Sequence, residues 1–133
     1  MENPRVFVIL DADLPGVLWT RLAGRTDIRV GEDVMLANRF TEEMKTAISQ
    51  TSGRILVIST DGLRVVDARV VASEIKAINH DAVVMALAKE PIQGLGMLDG
   101  IIWNNRLDPT ATVDIVELFL AGADKKQLIQ RAN

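Results

Sequence analysis

Apolar residues fall along this chain in two alternating textures. The first is the short unbroken run: Val6-Phe7-Val8-Ile9-Leu10, Ile55-Leu56-Val57-Ile58, Ala82-Val83-Val84-Met85-Ala86-Leu87, and Ile101-Ile102-Trp103 behind Gly100. Runs of this length, rich in β-branched residues, predict strands buried on both faces, as in a parallel sheet. The second texture has helical spacing. Leu14, Val17, Leu18 and Leu22 recur on one side of a segment that Pro15 suits as a first turn and Gly24 as a stop. Phe40, Met44, Ala47 and Ile48 share a face, with Thr41 placed to cap it. Leu63 to Ile78 is the longest helical stretch, with Val66, Val70 and Ala77 on one row and Val71, Ile75 and Ile78 beside it. Asp108-Pro109 opens another, in which Val113, Val116 and Leu120 share a face and Gly122 marks the end. Lys125 to Ala132 predicts a loose further turn or two. Ile28 and Val30 are a weak strand, residues 31–38 fit neither pattern, and Pro91 to Leu98, holding Gly94 and Gly96, predicts a weak helix at best.

Strand and helix therefore alternate through five units with no internal repeat or low-complexity tract. Right-handed crossovers turn such a series into a doubly wound, five-stranded parallel sheet with helices on both faces, an α/β domain. Its working site is expected beyond the carboxyl ends of the strands. That edge selects Asp11 to Asp13, Ser59 to Asp61, Leu87 to Lys89 and Trp103 to Asn105.

Composition narrows the chemistry. The 133 residues amount to one domain, 48% hydrophobic and 25% charged, with a net charge of −3. No dense cluster of Lys and Arg is present, so direct nucleic-acid binding is not expected. There are no cysteines, which removes thiolate nucleophiles, thiolate metal sites and disulfides. The polar start Met1-Glu2-Asn3-Pro4-Arg5 is unlike a signal peptide, and no segment reaches the roughly 20 apolar residues of a membrane helix. A cytoplasmic protein with no membrane contact is the expectation.

Five alternating units with an acidic cluster after the first strand resemble the receiver domain of bacterial response regulators, from about Arg5 to Gly122. Residues 123–133 are then a tail or linker. The family places an acidic pair after strand one, a phosphoaccepting Asp after strand three, Ser or Thr after strand four and Lys after strand five. Here Asp11-Ala12-Asp13 is similar to the pair but interrupted by Ala12. The accepting position falls on Ser59, the hydroxyl position on Leu87 or Ala88, and the lysine position on Asn104. Asp108-Pro109 and the following helix are similar to the last helix of NarL-type regulators. The segment between strands four and five is short, so the helix there is expected to be stunted or absent.

These departures imply an atypical receiver, or pseudo-receiver, that is not an enzyme and needs no cofactor. A Ser hydroxyl is a poor ligand for a hard cation, and Asn104 brings no positive charge to a phosphoryl group. Asp11 and Asp13 remain weak metal candidates, or simply end a strand and cap the next helix. Ser59 reads as a turn residue rather than an activated nucleophile. His80, the only histidine, sits at the opposite edge and reads as structural or solvated. Gly94-Leu95-Gly96 lacks the strand and Lys-Ser/Thr context of a phosphate loop.

The resemblance implies a signal-transduction module that acts by protein–protein interaction. It is either a free-standing adaptor or the N-terminal domain of a transcriptional regulator. Trp103, Asn105, Arg106 and Phe119 form the candidate interaction face, since Trp and Arg anchor many interfaces, and a homodimer through it is left open. Two alternatives stand. One is a working receiver that uses Asp11, Asp13 and Asp61. The other is a small flavodoxin-like ligand binder or enzyme, against which the scarcity of aromatics (4%, no Tyr) counts.

Overall fold

A computed structural model describes residues 5–9, 32–37, 39–51, 53–60, 67–88, 94–103 and 110–132, without the side chain of Trp103. Five strands, β1 (Val6–Ile9), β2 (Val34–Ala37), β3 (Leu56–Thr60), β4 (Val83–Ala88) and β5 (Gly100–Trp103), form one sheet in the order β2-β1-β3-β4-β5. Every pairing is parallel, with Val6 level with both Val34 and Leu56. The expected doubly wound sheet is therefore present.

Side-chain alternation explains why the strands read as continuous apolar runs. Successive residues of a strand point to opposite faces. Val6 and Val8, Leu56 and Ile58, and Val83, Met85 and Leu87 enter one core, while Phe7 and Ile9, Ile55 and Val57, and Val84 and Ala86 enter the other. Both cores need cover. Helices α1 (Glu42–Gln50) and α2 (Ala68–Ile78) supply Met44, Ile48, Ala68, Val71, Ala72 and Ile75 to one face. Helices α3 (Thr110–Leu120) and α4 (Lys125–Ala132) supply Val113, Ile115, Val116, Phe119 and Leu128 to the other.

The first helix expected from the sequence, 14–24, lies outside the described residues, as does the weak strand at Ile28 and Val30. The second strand is Val34–Ala37, inside the stretch that the hydrophobic pattern left unassigned. It is an edge strand with only Val34 fully buried, so its alternation is diluted. The face of α2 is rotated from the expected row: Val70 is 54% exposed while Val71 and Ile75 are buried. Residues 94–99, between β4 and β5, form a turn with Gly94 and Gly96 at positive φ and contain no helix among the described residues.

Helix termini follow sequence rules. Thr41 Oγ1 accepts from Met44 N at 3.1 Å, and Asp67 Oδ1 accepts from Arg69 N at 3.0 Å. Thr41→Ala is expected to cost about 1 kcal/mol of stability, read as a lower denaturant midpoint with an unchanged slope. At the end of α3, Gly122 has φ +99. Gly122 N donates to Phe119 O and Ala123 N to Leu118 O, a paired closure that needs the left-handed residue. Residues 125–132 are an ordered helix whose Leu128 is fully buried, worth about 2 kcal/mol of apolar transfer.

Candidate functional site

The carboxyl ends of the strands are the edge where this class of sheet does its work. The order reverses between β1 and β3, because β2 lies on one side of β1 and β3 on the other. Register fixes what meets there. Ile9 is level with Ser59, Thr60 with Leu87, and Ala88 with Trp103.

Ser59 does not occupy a turn. It is an interior residue of β3, fully buried and level with Ala86, and its hydroxyl donates to Thr60 O at 3.3 Å. The strand continues to Thr60, which is 9% exposed. Thr60 Oγ1 is buried without a hydrogen-bond partner among the described residues, an orphan at the strand tip. Thr60 lies inside the segment Ser59 to Asp61 that the sequence selects, but the sequence gives it no individual place in the strand. The apolar run stopped at Ile58 because Ser and Thr were counted as turn formers, although Thr is a favoured strand residue.

Leu87 and Ala88 end β4 at 6% and 2% exposure and bring no polar group to the edge. Asp11, Ala12, Asp13, Asp61, Asn104, Asn105 and Arg106 lie outside the described residues. Trp103 ends β5, and Phe119 is a core residue at 5% exposure with the Arg54 guanidinium 4.8 Å above its ring. The described donors at this edge are thus one paired and one unpaired hydroxyl. A divalent cation of the hard type takes about six oxygens, and this set does not form such a site. No group of three or more acidic or histidine ligands occurs among the described residues.

The opposite edge of the sheet is more polar. A cleft of about 220 Å³ lies there, lined by Arg54, Lys76, His80, Asp81, Asp124 and Lys125 with Ala82 and Val83. His80 is exposed at this end, away from the candidate site. Beside the cleft stands Asp99, whose side chain is only 10% exposed. Its Oδ2 accepts from Lys76 Nζ at 2.8 Å and Val84 N at 2.9 Å, and its Oδ1 lies 3.4 Å from Lys125 Nζ. Positive and negative groups in this region balance, so it carries no strong anion preference.

No family model and no curated protein matches the sequence. Among solved structures, the chain is similar to the isolated receiver (REC) domain of RcsB from Salmonella enterica serovar Typhimurium, determined in the presence of the phosphomimetic BeF3−. The TM-score is 0.58 at 12% identity, covering 96% of this chain and 99% of that one. At that identity the likeness establishes the receiver fold. No helix of the described residues is long and apolar enough to cross a membrane.

Proposed function

We propose that this chain is a signal-transduction module of receiver fold that works by binding a protein partner and is not phosphorylated on aspartate. One observation carries the reading: the tip of β3 presents Ser59 and Thr60, buried hydroxyls, where the fold would otherwise place an accepting carboxylate. A neutral hydroxyl neither attracts a hard cation nor takes a phosphoryl group without an activating base. Support for the docking role is the fold itself, spanning nearly the whole chain, with apolar residues rather than a hydroxyl at the tip of β4. Asn104 at the lysine position is consistent with this reading, as is the role of N-terminal domain of a transcriptional regulator.

A second reading draws on a specific observation. Because β3 runs through Thr60, Asp61 follows the strand's last residue directly in sequence. A phosphorylatable receiver would then use Asp61 with Asp11 and Asp13.

Incubation with acetyl phosphate and magnesium, followed by intact-mass measurement, separates the two. The expected result is no phosphoryl adduct, together with equal recovery of a partner by the tagged wild-type chain and by Asp61→Asn. A magnesium-dependent adduct that disappears in Asp61→Asn would establish the second reading instead.

A further inference from the structure

We infer that the outer face of α2, with the turn before β5, joins two copies of this chain, the two α2 helices lying parallel about a two-fold axis. This goes beyond the reading above. It holds whether or not the chain is phosphorylated, and a chain that stays monomeric would leave docking of another protein at another face untouched.

Helix α2 is apolar on two sides. Ala68, Val71, Ala72 and Ile75 are buried against the sheet. Val70 points the other way and is 54% exposed, and Ala77, two turns on, is exposed on the same side. The exposed large hydrophobic residues among those described are Val70, Ile78, Leu95 and Met97. All four belong to this helix or to the turn beside it. The turn runs along the helix: Ser73 Oγ donates to Met97 Sδ at 3.8 Å, and a Cβ on Gly96 would lie 4.0 Å from the Arg69 side chain. Apolar surface gathered in one place, rather than scattered singly, marks an interaction face.

The charges beside that face match a second copy. Val70, Ser73 and Ala77 are spaced as a, d and a of a heptad, which puts Asp67 and Glu74 at e and Arg69 and Lys76 at g. The flank toward α1 is therefore acidic, and the flank toward the turn is basic. In a parallel pair each g position meets the e position five residues on in the other helix. Arg69 of each copy then faces Glu74 of the other, twice across the axis. An antiparallel pair would set Arg69 against Lys76 and Asp67 against Glu74, like charges that repel. Arg69, Asp67 and Glu74 are each about half-exposed, and their ion pairs within the chain, Arg69 to Asp67 and Glu74 to Lys45, span 3.8 Å, so the second copy can share them. At the seam Val70 meets Val70, and a β-branched residue at a favours two strands. Met97, on the basic flank, comes against the acidic flank of the other copy, where Ile78 lies one turn beyond Glu74. One short helix and a turn are a small interface, so the dimer is weak and forms at high concentration.

Sedimentation velocity of the intact chain tests this. The mean mass is expected to rise from one chain toward two over about 5 to 500 μM, the range of a small interface. Val70→Asp should weaken association at least about tenfold by placing two carboxylates in the seam. Arg69→Glu and Glu74→Arg should each weaken it by about 2- to 5-fold, and the double variant should recover it. The chain has no cysteine, so Ala77→Cys should form a disulfide between copies under mild oxidation, while Lys126→Cys should not. A mass of one chain at every concentration overturns the proposal. So does a dimer that Val70→Asp leaves intact, which would lie on another face. Where Val70→Asp loses its fold, the Ala77→Cys cross-link decides.

Discussion

Ser59→Asp is expected to destabilise the protein by about 3 kcal/mol or more at neutral pH, rather than to recreate a phosphoacceptor. The substitution places a carboxyl at a position with no solvent exposure, on the strand face shared with Val57 and covered by α1 and α2. Burial favours the neutral acid, so the folded pKa of the introduced group rises above its unfolded value of about 3.9. The folded state then binds the extra proton. The charge-dependent part of the penalty is absent below the unfolded pKa and grows as pH rises toward the folded one. Urea denaturation at pH 4 and pH 7 should show the gap between variant and wild type widening with pH. Val70→Asp, at a position 54% exposed, should stay within about 0.5 kcal/mol of wild type. A wild-type midpoint for Ser59→Asp at pH 7 would mean that its side chain reaches water, and that Ser59 rather than Thr60 marks the functional tip.

Asp99→Ala is expected to cost about 2–4 kcal/mol. The change leaves the Val84 N–H without its acceptor and strands Lys76, whose side chain is only 17% exposed, without its carboxylate. Asp99→Asn retains an oxygen for Val84 and should cost less than half as much. Thermal unfolding of the two variants side by side reads the difference. Equal and small losses, under about 0.5 kcal/mol, would show that neither the buried hydrogen bond nor the Lys76 pair contributes.

The sequence disclosed the architecture because the three interior strands, β1, β3 and β4, are buried on both faces. A parallel strand in that setting has no polar alternation to confuse the reading: VFVI, ILVI and VVMALA are apolar on consecutive residues because each faces a core. Legibility failed where one of those conditions lapses. Val34–Ala37 has a single neighbour strand and is half-buried, so it looked like neither strand nor helix. Helix α4 looked loose because Leu128 alone is fully buried in a polar octapeptide, and its anchors on Asp99 and Asp114 are distant in sequence. On β3 the apolar run read from the sequence ends at Ile58, whereas the strand continues through Ser59 to Thr60. Composition alone does not distinguish a Ser-Thr pair that ends a strand from one that begins a turn. Phe119 illustrates the converse: an aromatic on the last long helix is as suited to a surface anchor as to a core, and only the Arg54 stacking and its burial decide for the core.

Strand order has a consequence for how the chain is born. β1 sits between β2 and β3, and its Val6 is level with Leu56, so during synthesis this strand completes one of its two ladders only after most of the next two units have been made. Until then a fully apolar ribbon waits with an open edge, the kind of segment that pairs with the wrong neighbour. Helix α1, capped by its own Thr41, can form within that interval and offer Met44 and Ile48 as temporary shelter. An interior strand of the finished sheet is thus unpaired along one edge during synthesis, and the pace at which residues 42–60 emerge sets how long that exposure lasts.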